Sequence, residues 1–212
     1  MQEILLHIET EPLELAELLA NAPEFKAAAN LKDPAKIAED IQKKKDKYIS
    51  EAQYNESSAR ICLAAIRVEG KERMRSLHES VTEDGVASEE DLLFWLYSQL
   101  EAAGTVSFRG NKFVYPFICR RALRYGLNFF HYFYSADENY RLKYFKHKDI
   151  AQIWSCGSIS HPESLDEIAS VLGLPKVDQA LPFYKMVAVD ANAAFGNVSK
   201  TLDLMDEIYV RL

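Results

Sequence analysis

The sequence predicts an α/β layered fold, because short apolar runs with strand alternation recur between segments that carry helical spacing and capped ends. The run that opens the chain, Ile4-Leu5-Leu6-His7-Ile8-Glu9-Thr10, turns polar only at its end. Alternation along a strand sends Leu6 and Ile8 to one face and His7 and Glu9 to the other. A buried central first strand ending in two metal-capable side chains is a floor for an active site. The run is too short for a membrane span or a secretory apolar core, and acidic residues flank it. With 212 residues, 48% hydrophobic and 27% charged, the chain has enough material for one domain with a substantial core, so a single domain over residues 1–212 is expected.

Composition narrows the function classes. No membrane span, signal peptide or lipidation motif is visible, and a soluble, cytoplasmic protein is expected. Cys62, Cys119 and Cys156 are odd in number, far apart and without C-x-x-C spacing, so they read as buried thiols rather than a zinc knuckle or a disulfide framework. The net charge of −7 repels a polyanion globally, so nucleic-acid binding requires a local basic surface.

The elements follow in order. Glu11 to Phe25 places Leu15, Leu18 and Leu19 at helical spacing, with Pro12 near the first turn. Asp33-Pro34 supplies the cap and first position of a helix to about Ser50, and Lys43-Lys44-Lys45 with Lys47 read as its solvated face. Arg60 to Val68 is a strand beside the first, and Glu72 to Ser80 is either a strand or a loop. Ser88-Glu89-Glu90-Asp91 starts a helix to about Ala102 that buries Leu92, Leu93, Leu96 and Leu100. Thr105 to Phe108 is a strand, Gly110-Asn111 a turn, and Val114 to Tyr125 a helix with Pro116 in its first turn. Arg120, Arg121 and Arg124 lie along it as phosphate contacts or surface charges. Asn128 to Ser135, with Phe129, Phe130, Tyr132, Phe133 and Tyr134, is core or a partner interface rather than a base-stacking platform. Tyr140 to Lys148 is basic and aromatic and leads to Asp149, a site acid or a strand-end cap. Ser164 to Gly173 is a capped helix, and Asp190 to Leu212 is one helix or two pieces broken near Gly196.

Several landmarks then fall into a common order. Leu6-His7-Ile8-Glu9-Thr10, Lys32 to Ala38, Ala59-Arg60-Ile61-Cys62, Phe113-Val114-Tyr115-Pro116-Phe117-Ile118 with Arg121-Ala122, His147-Lys148-Asp149-Ile150, Trp154-Ser155, Ser164-Leu165-Asp166 and Leu172-Gly173-Leu174-Pro175-Lys176 span nearly the whole chain. In this order they resemble the predicted 3′–5′ exonucleases related to the proofreading domain of family B DNA polymerases. The resemblance implies a ribonuclease H-like fold, a central mixed β-sheet flanked by helices. It also implies four carboxylates around two divalent metals: an aspartate and a glutamate on the first strand, an aspartate in F-D-L-P, and an aspartate on the last helix. In this sequence Glu9 is retained, while His7, Val114 and Thr201 stand at the other three positions, and Asn197 stands where the last motif has a tyrosine. Asp203 and Asp206 lie near enough in sequence to replace the last acid.

Paired magnesium ions depend on anionic oxygen ligands, which valine cannot supply, and histidine suits softer metals better. The expectation is therefore a degenerate exonuclease-like domain, inactive or strongly impaired, that binds single-stranded nucleic acid or a protein partner, with Arg109, Lys112 and Arg120 as the strand contacts. No cofactor is expected, or magnesium or manganese if activity remains. A second expectation is an enzyme in which His7, Glu9 and Asp149 or Asp203 hold a single transition metal, and a third is a structural or assembly protein whose oligomeric state is open.

Overall fold

The computed structural model describes residues 3–78, 86–100, 104–130, 134–136, 142–144, 147–156, 164–177 and 181–212. The chain divides into two compact units, Met1–Glu9 with Ile61–Leu212, and Thr10–Arg60.

The first unit is built on a five-stranded sheet of order β3-β2-β1-β4-β7, from β1 (Glu3–Pro12, whose last residues belong to the second unit), β2 (Ala59–Val68), β3 (Lys71–Ser76), β4 (Gly104–Ser107) and β7 (His147–Asp149). A separate antiparallel pair joins β5 (Tyr134–Ala136) to β6 (Leu142–Tyr144). In the main sheet β1/β4 and β4/β7 are parallel and β2/β3 antiparallel, so the sheet is mixed, as expected. The segment 72–80 contains a strand, β3, and its residues 79 and 80 lie outside the described residues.

The helices of this unit are α3 (Glu89–Leu100), α4 (Tyr115–Leu123), α5 (Ile150–Trp154), α6 (Leu165–Leu172), α7 (Phe183–Val187) and α8 (Ala191–Arg211). One sheet face carries Leu5, Leu63, Ala65 and Val106 into a core with Ile168 and Ala169 of α6, Phe183 of α7, and Ala194, Phe195, Val198, Leu202, Met205 and Ile208 of α8. On the opposite face Arg75 of β3 lies over Trp95 of α3, and the hydroxyls of Thr105 and Ser107 donate to Tyr115 of α4 at 3.2 and 3.0 Å. The sheet is thus flanked by helices on both sides. Alternation explains the division: Ile4, Leu6 and Ile8 are buried on the face away from Leu5, while His7 and Glu9 share Leu5's side.

The caps read from sequence are present. Ser88 Oγ accepts from Asp91 N at 3.1 Å, and Ser164 Oγ accepts from Glu167 N at 3.3 Å. Gly173 ends α6 at φ 67°, a backbone angle a Cβ penalises. The last segment is a single helix: Gly196 leaves open space where a Cβ would stand, and α8 continues through it to Arg211. The expected end of α3 at Ala102 falls outside the described residues. β4 stops at Ser107, so Phe108 belongs to the turn.

One further expectation changes. Cys62 and Cys119 are buried, with the Cys119 thiol pushed up to about 12 by burial, but Cys156 is exposed, in the turn after α5 at φ 50°. In the aromatic run, Phe129 is buried and meets Tyr97 edge-on at 5.1 Å, as a core residue does. Phe130 is half-buried. Tyr132 and Phe133 lie outside the described residues, as do 140–141 and 145–146 of the basic aromatic stretch.

The second unit contains α1 (Leu15–Ala20), α2 (Pro34–Glu51) and a short 3-10 turn, Ala52–Tyr54. Pro12 closes β1 instead of opening α1, a strand-end position at which its missing N–H is tolerated. Asp33 caps α2 by accepting from Ala35 N at 2.8 Å, with Pro34 in the first turn. The lysine run pairs along its own helix, Lys43 with Glu39 at 2.7 Å, Lys44 with Asp40 at 2.9 Å and Lys47 with Glu51 at 3.8 Å. It is a solvated face. No helix among the described residues is long and apolar enough to cross a membrane.

Candidate active site

In parallel α/β sheets, ligands bind beyond the carboxyl ends of the strands, where loops diverge. Two such ends, those of β4 and β7, coincide in the first unit. The register pairs Leu5 with Val106 and Ser107 with Asp149, so β4 and β7 stop level with the middle of β1. His7 and Glu9 therefore sit past the end of the neighbouring strand. They share a face, and His7 Nε2 lies 2.9 Å from Glu9 Oε1, with side chains only 20% and 16% exposed. The Glu9 carboxylate is already bonded to an imidazole.

The chain leaves β4 through a turn that a crowded backbone shapes. Arg109 adopts a left-handed φ of 57°, Phe113 N donates to Arg109 O at 2.9 Å, and residues Gly110–Val114 form one π-helical turn ahead of α4. A Cβ at Gly110 would overlap the Tyr115 ring and the Ser107 hydroxyl, so only glycine fits. This turn leaves Arg109 and Lys112 exposed and buries Val114, 4% exposed. The helix expected from Val114 to Tyr125 is thus a π turn followed by α4.

Asp149 holds the turn from the adjacent strand. Its Oδ1 accepts from Ala151 N and its Oδ2 from Asn111 N, both at 3.0 Å, and it is 6% exposed. It caps α5 and anchors residue 111. The Asn111 side chain bonds Gln152 and His147 Nε2, and the His147 ring lies 4.0 Å from Tyr115. Sequence reasoning passed over Asn111, Tyr115 and His147 as site supports. The visible signal was the pairing of a Gly-Asn turn with a later H-x-D.

On α8, Thr201 is buried and its hydroxyl donates to Asn197 O at 2.9 Å, while Asn197 reaches Met186 Sδ at 3.4 Å. Neither Asp203 nor Asp206 shares Thr201's face at 3.6 residues per turn. Asp203 is 67% exposed and pairs at 2.7 Å with Arg67, which also binds Glu72 at 2.7 Å. Arg120 and Arg124 are exposed, whereas Arg121 is buried against Glu89 and is no phosphate contact.

A family model described as a predicted 3′–5′ exonuclease related to the exonuclease domain of PolB matches residues 52–179, more than half of the chain. The chain belongs to this family. The match covers Arg109, Lys112, Val114, Arg120 and Asp149, while His7, Glu9 and Thr201 lie outside the matched residues. A comparison with curated proteins gave no match. As a member of the exonuclease family the chain has the mixed, helix-flanked sheet of a ribonuclease H-like domain, and membership supports a nuclease-like function.

Exonuclease-like domains typically work with divalent metals. Two hard cations about 3.5–4 Å apart need several anionic oxygens in the same place. At the four positions that the resemblance implies, this chain has one carboxylate bonded to an imidazole, a valine and a threonine whose hydroxyl serves its own helix. That donor set does not fit a pair of hard cations.

Proposed function

We propose that this chain is an exonuclease-fold domain that has lost two-metal phosphodiester hydrolysis and acts by binding single-stranded nucleic acid. The observation that carries the reading is the pairing of Glu9 with His7 at the strand end, in a family whose chemistry requires clustered acids. Two of the acids that could stand in for the missing ones are occupied: Asp149 by two backbone N–H groups and Asp203 by Arg67. A protein of net charge −7 binds a polyanion only through a local basic surface, and exposed Arg109, Lys112 and Arg120 supply one around the π turn and α4.

The test uses protein purified without a histidine tag. With magnesium or manganese, the parent chain is expected to degrade a labelled single strand no faster than Glu9→Ala does, and turnover that Glu9→Ala abolishes overturns the reading. An oligothymidine should bind at low salt, with the log–log salt slope falling by about 0.7 for each of Arg109, Lys112 and Arg120 changed to Gln. Absence of binding at low salt turns the assignment toward a protein partner.

A second reading rests on the same pair. An imidazole nitrogen and a carboxylate oxygen 2.9 Å apart on one strand face are two ligands for a single transition metal. Stoichiometric zinc or manganese in the untagged protein, lost in His7→Ala, favours this reading over the first.

A further inference from the structure

β3 is an edge strand whose two faces differ in chemistry. Glu72 and Met74 point to the α8 side, where Glu72 accepts from Ser199 at 2.7 Å and Met74 packs on the core. The alternate residues, Lys71, Arg73 and Arg75, line the α3 side. Arg75 lies 5.7 Å over the Trp95 ring, and Arg73 Nη1 donates to Gln99 Oε1 at 3.0 Å. Two residues along the strand are matched to one turn along the helix, so strand and helix form two rungs of one surface. Lys71 and Arg73 are exposed, Trp95 is half-buried and its neighbour Phe94 is 49% exposed.

Cations on an edge strand have a plain use, which is to prevent edge-to-edge pairing. That use asks only for charge. Here an arginine is laid on an indole, which pre-positions both groups, and a second is fixed by a neutral amide that leaves its charge uncancelled. Lys71 and Arg73 are about 7 Å apart along the strand, a spacing suited to successive phosphates of an extended chain. Exposed aromatics beside such a row offer π faces to unpaired bases.

We infer that Lys71, Arg73, Phe94 and Trp95 form a second contact surface for single-stranded nucleic acid, on the opposite sheet face from His7 and Glu9. Lys71 and Arg73 take phosphates, and Trp95, steadied by Arg75, stacks on a base. The inference rests on the nucleic-acid reading above and adds a place where the strand continues.

The chain has two tryptophans, so Trp154→Phe leaves Trp95 as its single indole reporter. In that full-length background an oligothymidine is expected to quench the fluorescence. Lys71→Gln with Arg73→Gln should weaken binding roughly tenfold and lower the salt slope by about 1.4. Arg109→Gln with Lys112→Gln should weaken binding while quenching persists at saturation. Binding without any quenching overturns this surface and leaves the functional reading standing, whereas no binding at all overturns both. Should the Lys71/Arg73 variant self-associate by light scattering, the quenching result in the Trp154→Phe chain decides alone.

Discussion

Glu89 gathers donors from three directions: Ile61 N at 2.7 Å, Arg121 Nε at 2.9 Å and the Tyr125 hydroxyl at 2.8 Å. Its side chain and that of Arg121 are each 3% exposed. A pair so far from water holds only while both members stay, because either alone is an uncompensated buried charge. Arg121→Met is therefore expected to cost about 3–5 kcal/mol in urea unfolding. Arg120→Met, one residue earlier on the exposed side, should stay within about 0.5 kcal/mol. Equal costs for the two would contradict this role. Burial and then Glu89 push the Tyr125 hydroxyl above its ordinary value, as expected for a group donating to a carboxylate. The sequence placed Arg121 in a row of three arginines without separating it from the others. Its partner stands 32 residues away on another helix, and such a pair leaves no periodic trace.

At the scale of elements, the turn Gly110–Val114 depends on a missing Cβ and on groups brought from β7 and α5. Gly110→Ala forces the Tyr115 ring and Ser107 away from their shared hydrogen bond. A loss of about 1–3 kcal/mol is expected from overpacking, together with weaker oligothymidine binding, because Arg109 and Lys112 ride on this turn. Unchanged stability in a thermal melt would show that the turn relaxes freely. Helices announced by local signals were legible: Asp33-Pro34, Ser88, Ser164 and Gly173 each act within one turn of chain. The π turn was not, since its anchor, Asp149, lies 38 residues from Asn111. The same distance hid the answer for Asp149, which sequence left as site acid or cap. The assignment of His7, Val114 and Thr201 to acid positions rests on the landmarks alone, whereas the engagement of Glu9 by His7 required a strand with both side chains on one face.

Across the whole molecule, β1, β7 and α8 are joined by a surface clasp. Lys148 pairs with Glu3 and bonds the Tyr209 hydroxyl, which donates to Glu3 Oε2 at 2.8 Å. The hydrogen bond from Lys148 holds the Glu3 carboxyl below its ordinary value, and the bond to Glu3 raises Lys148 from 10.5 to about 12. A depressed acid contributes stability above its unfolded value and loses it as pH falls through the folded one. A raised amine contributes fully below 10.5 and loses it as pH climbs through about 12. The clasp should thus act across the neutral range. With both side chains 40–51% exposed, solvent screening limits it to no more than about 1 kcal/mol. Glu3→Gln is expected to lower Tm slightly at neutral pH, with the gap to the parent closing once acid protonates Glu3. A gap that stays constant into acid would assign the loss to something other than this charge.

The middle strand of the sheet has one further consequence, for biogenesis. β1 is made before all its neighbours, yet its parallel partner emerges roughly a hundred residues later, Glu3 meeting Gly104. Until then the β4-facing edge of β1 stays unpaired on a nascent chain made at about 5–20 residues per second. The ribosome thus releases the keystone several seconds before the stones that wedge it, an interval in which a chaperone has something to hold.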